Sequence, residues 1–258
     1  MSEHNTTPKT ISREYTNMQW QIPRFYDPSN EINIPLCKEI RAILFRRGII
    51  NERDIDEYIN PKLLDDPLSH FPDLQKAIER IALACQNGED IAICGDYDAD
   101  GMTSTALLTN VLLKLGAKVN PIIPDRLNEG YGLNTSIIEH LSSLDNRLLI
   151  TVDNGVSSIE ALKLAIEYGI DVILSDHHTV NDKLPNIYAL IHPHLTPDNS
   201  QFRNLAGVGL AYIIGSELLK YFNFSHRTNI ALDLFCIGTI ADVSILTGVN
   251  RIYLKMGL

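Results

Sequence analysis

Cysteine, long apolar runs and basic charge are all scarce in this sequence, and each scarcity closes a route. Four cysteines, Cys37, Cys85, Cys94 and Cys236, are scattered through the chain without a Cys-x-x-Cys pair. They lie in apolar contexts and read as reduced thiols, which excludes a disulfide framework or zinc site and fits the cytoplasm. No apolar stretch approaches a membrane span, and Met1 to Lys9 lacks the charged-then-apolar layout of a secretory signal, so no membrane partner is expected. Lys and Arg number 22 against 32 Asp and Glu, a net charge of −10. Taken alone, that balance argues against nucleic acid as a partner. The argument weakens where acids cluster, because a cation can neutralise them.

What remains is an ordinary globular composition, 45% hydrophobic and 21% charged. At 258 residues the chain can hold one large domain, or a small one and a larger one. Residues 1 to about 30 are polar and interrupted by Pro23 and Pro28, and read as an extended arm. Helical spacing then predicts a helix over 36–47 stopped by Gly48, a second capped by Asn51, and a third over 74–86 stopped by Gly88. From Asp90 the pattern alternates. Strands are predicted at 91–94, 119–123, 148–152, 171–175 and 187–191, and helices at 102–115, 134–141 and 157–168 between the first four. Ser157 and Glu160 have capping-box spacing. The chain turns helical again after Gly207 and over about 230–241. This order predicts an α/β fold, a mostly parallel sheet with helices on both faces, preceded by a small helical lead-in. We draw the arm and lead-in at 1–88, the α/β domain at 89–245, and the start of a linker helix to a second, absent domain at 246–258.

The acids gather at strand ends. Gly95-Asp-Tyr-Asp-Ala-Asp-Gly101 follows the first strand and sets Asp96, Asp98 and Asp100 at alternate positions. This is also how a calcium-binding EF-hand loop begins, but that loop needs a Glu at its twelfth position, which is Leu107, and a helix rather than a strand in front. The 148–152 strand runs into Asp153-Asn-Gly155, and the 171–175 strand into Asp176-His-His178. In a parallel sheet these carboxyl ends share one edge, so the groups converge on one cleft. Asp242 closes an otherwise apolar helix and needs a partner. Carboxylates with imidazole and no thiolate suit Mn²⁺ or Mg²⁺. Two such ions on shared carboxylates activate a water and clamp a phosphoryl oxygen.

GDYDADG with TSTALL, TVDNG, SDHH, LAGVGLAY and GTIADV, in this order, resemble the motifs of the DHH phosphoesterase superfamily, and more narrowly its RecJ branch of 5′→3′ single-stranded-DNA exonucleases. The resemblance runs from about Ile91 to Leu258. It implies a metal-dependent phosphodiesterase acting on single-stranded DNA in repair and recombination, with two Mn²⁺ or Mg²⁺ ions. It also implies a single-strand-binding protein or a helicase as protein partners. By resemblance Asp98, with Asp96 beside it, matches the first-metal carboxylate, and Asp153 the bridging one. Asp100, His177 and Asp242 match the second-metal ligands. His178 falls near the scissile phosphate, and Asp176 orients His177. Gly207 and Gly209 open a helix whose N–H groups can hold a phosphate or simply pack tightly. Arg126 can pair with a phosphate or lie on the surface. Tyr97 and Tyr131 can stack on bases or pack. His192 and His194 flank Pro193 and read as loop residues. The family's second domain, which supplies many basic contacts, is not matched. Two alternatives therefore stand beside the exonuclease: a DHH phosphodiesterase for short oligonucleotides or cyclic dinucleotides, and a truncated chain that binds without cleaving.

Overall fold

The computed structural model describes residues 36–62, 65–125, 132–180, 183–224 and 230–258. Two compact units divide at Pro61 and Lys62. In the first, α1 (Lys38–Arg46) ends at Gly48, whose φ of +79° a side chain would resist. Helix α2 (Glu52–Ile59) starts at Asn51, whose side chain accepts the Asp54 N–H at 2.8 Å.

The second unit carries the sheet. Its elements are α3 (Leu74–Asn87), β1 (Asp90–Cys94), α4 (Ala99–Lys114), β2 (Lys118–Ile122), α5 (Thr135–Ser143), β3 (Leu148–Val152), α6 (Ile159–Glu167), β4 (Asp171–Ser175), β5 (Ala189–Ile191), α7 (Gly207–Tyr221), α8 (Leu232–Ala241) and α9 (Gly248–Gly257). Among the described residues five strands pair in parallel, in the order β2-β1-β3-β4-β5. Central β3, Leu-Leu-Ile-Thr-Val, is buried throughout, as expected of a strand covered on both faces. The edges are short β5 and partly exposed β2, which tolerates Pro121.

Alternate strand residues feed two cores. Ile91, Ile93, Leu148, Ile150 and Ile173 pack with residues of α3, α4, α7, α8 and α9. Ala92, Cys94, Leu149, Val172 and Leu174 pack with α5 and α6. Helices thus cover both faces, as the alternation predicts. Helix α3, grouped by sequence with the lead-in, buries Leu74, Ala77, Ile78, Ile81 and Ala84 in the first of these cores.

Two helix starts differ from the sequence expectation. Helix α4 begins at Ala99 rather than Met102, because Asp98 caps it by accepting the Gly101 N–H at 2.9 Å. Asp100 therefore lies in its first turn. The capping box at α6 does not form, since Ser158 caps without a side-chain hydrogen bond. Because β1 has β2 on one side and β3 on the other, successive connections leave it in opposite directions. The crevice at the carboxyl ends of β1 and β3 is the place where such sheets put their ligands.

Candidate metal centre

Asp153 leaves β3 with φ +63°, a left-handed conformation rare outside glycine. Its N–H bonds the Ser175 carbonyl at 3.0 Å, tying the ends of β3 and β4. Its side chain is 1% exposed, and neither carboxylate oxygen has a hydrogen-bond partner. Gly207 is pressed against it, so a Cβ there would lie 2.5 Å from the Asp153 Cβ. Burial, then the charges of Asp100 and Asp98, push the Asp153 carboxyl up to about 10.

His177 turns toward it. Its Nε2 lies 3.0 Å from Asp153 Oδ1, 3.6 Å from Asp100 Oδ2 and 3.8 Å from Asp242 Oδ1. That nitrogen is buried and has no hydrogen-bond partner. Two sets of groups therefore converge on His177, one with Asp153 and His178 and the other with Asp100 and Asp242.

The carboxylates are held very differently. Asp100 accepts the N–H groups of Gly207 at 2.7 Å and Val208 at 2.8 Å. The positive end of α7 thus grips a carboxylate of the chain itself, the place the sequence offered to a phosphate. Gly209 packs tightly, since a Cβ there would meet Leu205 Cδ2 at 2.6 Å. Burial still raises the Asp100 carboxyl, with the Val208 N–H opposing it. Asp242 is the C-cap of α8, the unfavourable end of a helix for an anion. Ser244 Oγ donates to its Oδ2 at 2.5 Å.

His178 and Asp176 form a pair. Asp176 Oδ1 accepts His178 Nδ1 at 2.8 Å and the His178 N–H at 3.0 Å, and Oδ2 accepts the Val156 N–H at 3.0 Å. The resemblance implies that Asp176 orients His177; its Oδ1 instead bonds His178, and its Oδ2 the Val156 N–H. Burial would raise the Asp176 carboxyl, but these hydrogen bonds hold it below the usual range. Bonding to Asp176 in turn raises the His178 imidazole. With Nδ1 occupied, Nε2 is the edge His178 can present outward.

Asp96 is fully buried and Asp98 exposed at the cap of α4, and neither enters the two converging sets. Arg126 and Tyr131 lie outside the described residues.

Two supports were not read from sequence. Asn154 Nδ2 donates to Cys94 O at 3.0 Å and Val152 O at 2.9 Å, and its Oδ1 accepts the Leu133 N–H at 3.1 Å. It stitches β1 to β3 across the crevice, although an Asn after a strand signals only a turn. His192 is 1% exposed, its Nε2 2.8 Å from His178 O, and its Nδ1 accepts the His194 N–H at 3.1 Å. The proton is therefore on Nε2, and burial lowers this imidazole's pKa.

Buried oxygen donors without partners, one open imidazole nitrogen and no sulfur fit a hard divalent cation. Residues 90–239 match the family model described as the DHH family, N-terminal domain. The chain belongs to the DHH family.

Among DHH relatives it is similar to the single-stranded-DNA-specific exonuclease RecJ of Bacillus subtilis, 35% identical over 94% of this chain and 31% of that protein. The Escherichia coli RecJ is 33% identical over 91% of this chain and 42% of its own length. A crystal structure of exonuclease RecJ bound to manganese matches at a TM-score of 0.67 and 37% identity, covering 76% of this chain and 49% of that one. RecJ from Thermus thermophilus in complex with Mn²⁺ matches at 0.69 and 32%, covering 83% and 30%. The chain spans about a third to two fifths of the curated relatives' length.

Proposed function

We propose that this chain is the metal-binding part of a phosphodiesterase that removes nucleotides from single-stranded DNA in the 5′→3′ direction, in repair and recombination. The observation that carries it is Asp153, a buried carboxyl without a hydrogen-bond partner, facing an equally unpartnered His177 nitrogen. A cation shared by the two groups would satisfy both. The likeness to RecJ enzymes, some bound to manganese or magnesium, supports Mn²⁺ or Mg²⁺ and a DNA strand.

In this reading Asp153 is shared between two ions. Asp98, with Asp96 behind it, serves the first, and Asp100, His177 and Asp242 serve the second. When bound, such ions activate a water and neutralise charge on the phosphoryl group. The chain's own residues do the rest. The α7 N-terminus fixes Asp100, Ser244 fixes Asp242, and Asp176 holds His178 so that its Nε2 meets the phosphate. Arg126 enters as a phosphate contact on sequence grounds only.

No helix among the described residues is long and apolar enough to cross a membrane. The four free cysteines support a cytoplasmic setting. A single-strand-binding protein or a helicase as partner rests on the family resemblance alone.

The test is digestion of a long labelled single strand and a dinucleotide side by side, with Mn²⁺ or with chelator. Mononucleotides released from the 5′ end of the long strand, dependent on Mn²⁺ and lost in Asp153→Ala, are expected. Release from the dinucleotide alone would move the substrate to short oligonucleotides.

A further inference from the structure

Helix α9 opens against two loops that lead to the metal centre. One loop, 201–206, runs into the start of α7, where the Gly207 and Val208 N–H groups hold Asp100. The other, 243–247, leaves Asp242 at the carboxyl end of α8. Hydrogen bonds form a seam along these segments. The Val249 N–H bonds Gln201 O at 3.0 Å, and Asn204 Nδ2 donates to Thr247 Oγ1 at 3.1 Å. Gly248 has φ +52° and lies so close to the first loop that a Cβ would stand 2.3 Å from Gln201 O.

Asn250 sits in the middle of this seam. It is 1% exposed, and its Nδ2 donates to Asn204 O at 2.5 Å and to Ile245 O at 3.1 Å. One carboxamide thus grips the first loop three residues before Gly207 and the second three residues after Asp242. This is not the bonding of a helix cap, whose side chain accepts N–H groups of its own first turn. Two carbonyl partners also fix which end of the amide carries the donors. The Asn250 Oδ1 is then buried without a hydrogen-bond partner. An orphaned buried acceptor is costly and calls for a compensating role, which the two donated bonds supply.

Asp100 Oδ2 and Asp242 Oδ1 lie 3.6 and 3.8 Å from His177 Nε2, one carboxylate fixed through the first loop and the other carried by the second. A ligand set works only when its members are held to within about 0.5 Å. We propose that Asn250 is a positioning residue for the metal centre, setting the separation of Asp100 and Asp242 through the two carbonyls it holds. The proposal rests on the metal-dependent reading above. Among the described residues its hydrogen bonds reach neither carboxylate, so it acts through the loops alone.

The experiment compares the unaltered chain with Asn250→Leu, Asp242→Ala, Thr247→Val and Leu141→Ala. Leucine keeps the bulk of Asn250 and removes both donated bonds. Thr247→Val removes one exposed bond of the same seam, and Leu141→Ala opens a cavity in the core under α5 and α6. Melting temperature and Mn²⁺ binding by calorimetry are measured for each. The Mn²⁺ binding event that Asp242→Ala abolishes should weaken about tenfold in Asn250→Leu. In Thr247→Val the same event should weaken about threefold, as the loss of one exposed hydrogen bond does. Leu141→Ala should lower the melting temperature at least as far as Asn250→Leu and leave that event at its unaltered affinity. That comparison separates positioning from loss of stability. Equal weakening in Asn250→Leu and Leu141→Ala, or unchanged Mn²⁺ binding in Asn250→Leu, would overturn the proposal. Should Asn250→Leu not fold, unchanged binding in Thr247→Val overturns it instead. If the unaltered chain binds no Mn²⁺, the metal reading itself falls, and this role with it.

Discussion

Asp153 concentrates the energetics of the site in one side chain. In the metal-free chain it holds its proton up to about pH 10, against an ordinary value of 3.8. Between those limits the folded state binds the extra proton, so folding stability falls as pH rises across that window. Asp100 is shifted in the same direction. Asp176 is shifted the opposite way, so its contribution is present above the ordinary carboxylate range and is lost on acidification. The melting temperature of the metal-free protein should therefore decline from about pH 6 to about pH 8, because Asp153 stays protonated in the folded chain across that interval and the raised His178 imidazole acts in the same direction. Mn²⁺ displaces the Asp153 proton and should raise the melting temperature more at about pH 8 than at about pH 6. A Mn²⁺-induced shift independent of pH would contradict the assignment. Asp153→Asn is the complementary test, since it keeps the shape and removes the ionisable group. Its metal-free form should melt a few degrees higher, about 1 kcal/mol being worth roughly 2–4 °C for a domain of this size. The same variant should lose the Mn²⁺-induced rise.

The elements that carry these side chains show what sequence makes legible. Continuous apolar runs gave β1, β3 and β4 almost to the residue, because a parallel strand buried on both faces is written as such a run. The acids at their ends were therefore placed on one edge correctly. The wiring behind them was not legible. Whether Asp176 serves His177 or His178 depends on which ring turns back after β4, and two adjacent histidines carry no signal for that. His192 read as a loop residue because an imidazole beside a proline looks like a turn. Only the pairing of β4 with β5 brings it under His178. It clamps the backbone between the two histidines of the centre and the turn after β5. Removing such a supporting contact typically lowers metal affinity by about 10- to 100-fold. His192→Ala should show that loss in a Mn²⁺ titration, and His192→Gln, whose amide can still donate to the His178 carbonyl, should recover most of it. Equal losses in both variants would mean that His192 fills space rather than holding the backbone.

At the scale of the whole molecule, charge and site pull in opposite directions. A net charge of −10 repels a polyanion, yet the one edge where strand ends meet is built to hold cations. Neutralisation at that edge should then weigh heavily in whether a nucleic-acid strand approaches, since acids outnumber the 22 Lys and Arg by ten over the whole chain. Affinity for single strands falls with salt at a slope of about −0.7 per neutralised phosphate. A chain that engages one or two phosphates through bound Mn²⁺ should therefore show a slope of only about −1. A surface that tracks a backbone with many lysines and arginines would be far steeper. Fluorescence anisotropy with a labelled oligonucleotide, titrated between about 50 and 200 mM salt, reads this directly. Binding should require Mn²⁺, disappear in Asp153→Ala and depend weakly on salt. Metal-independent binding with a slope of about −5 would place the DNA contact on a basic surface elsewhere in the chain, away from the aspartates and His177.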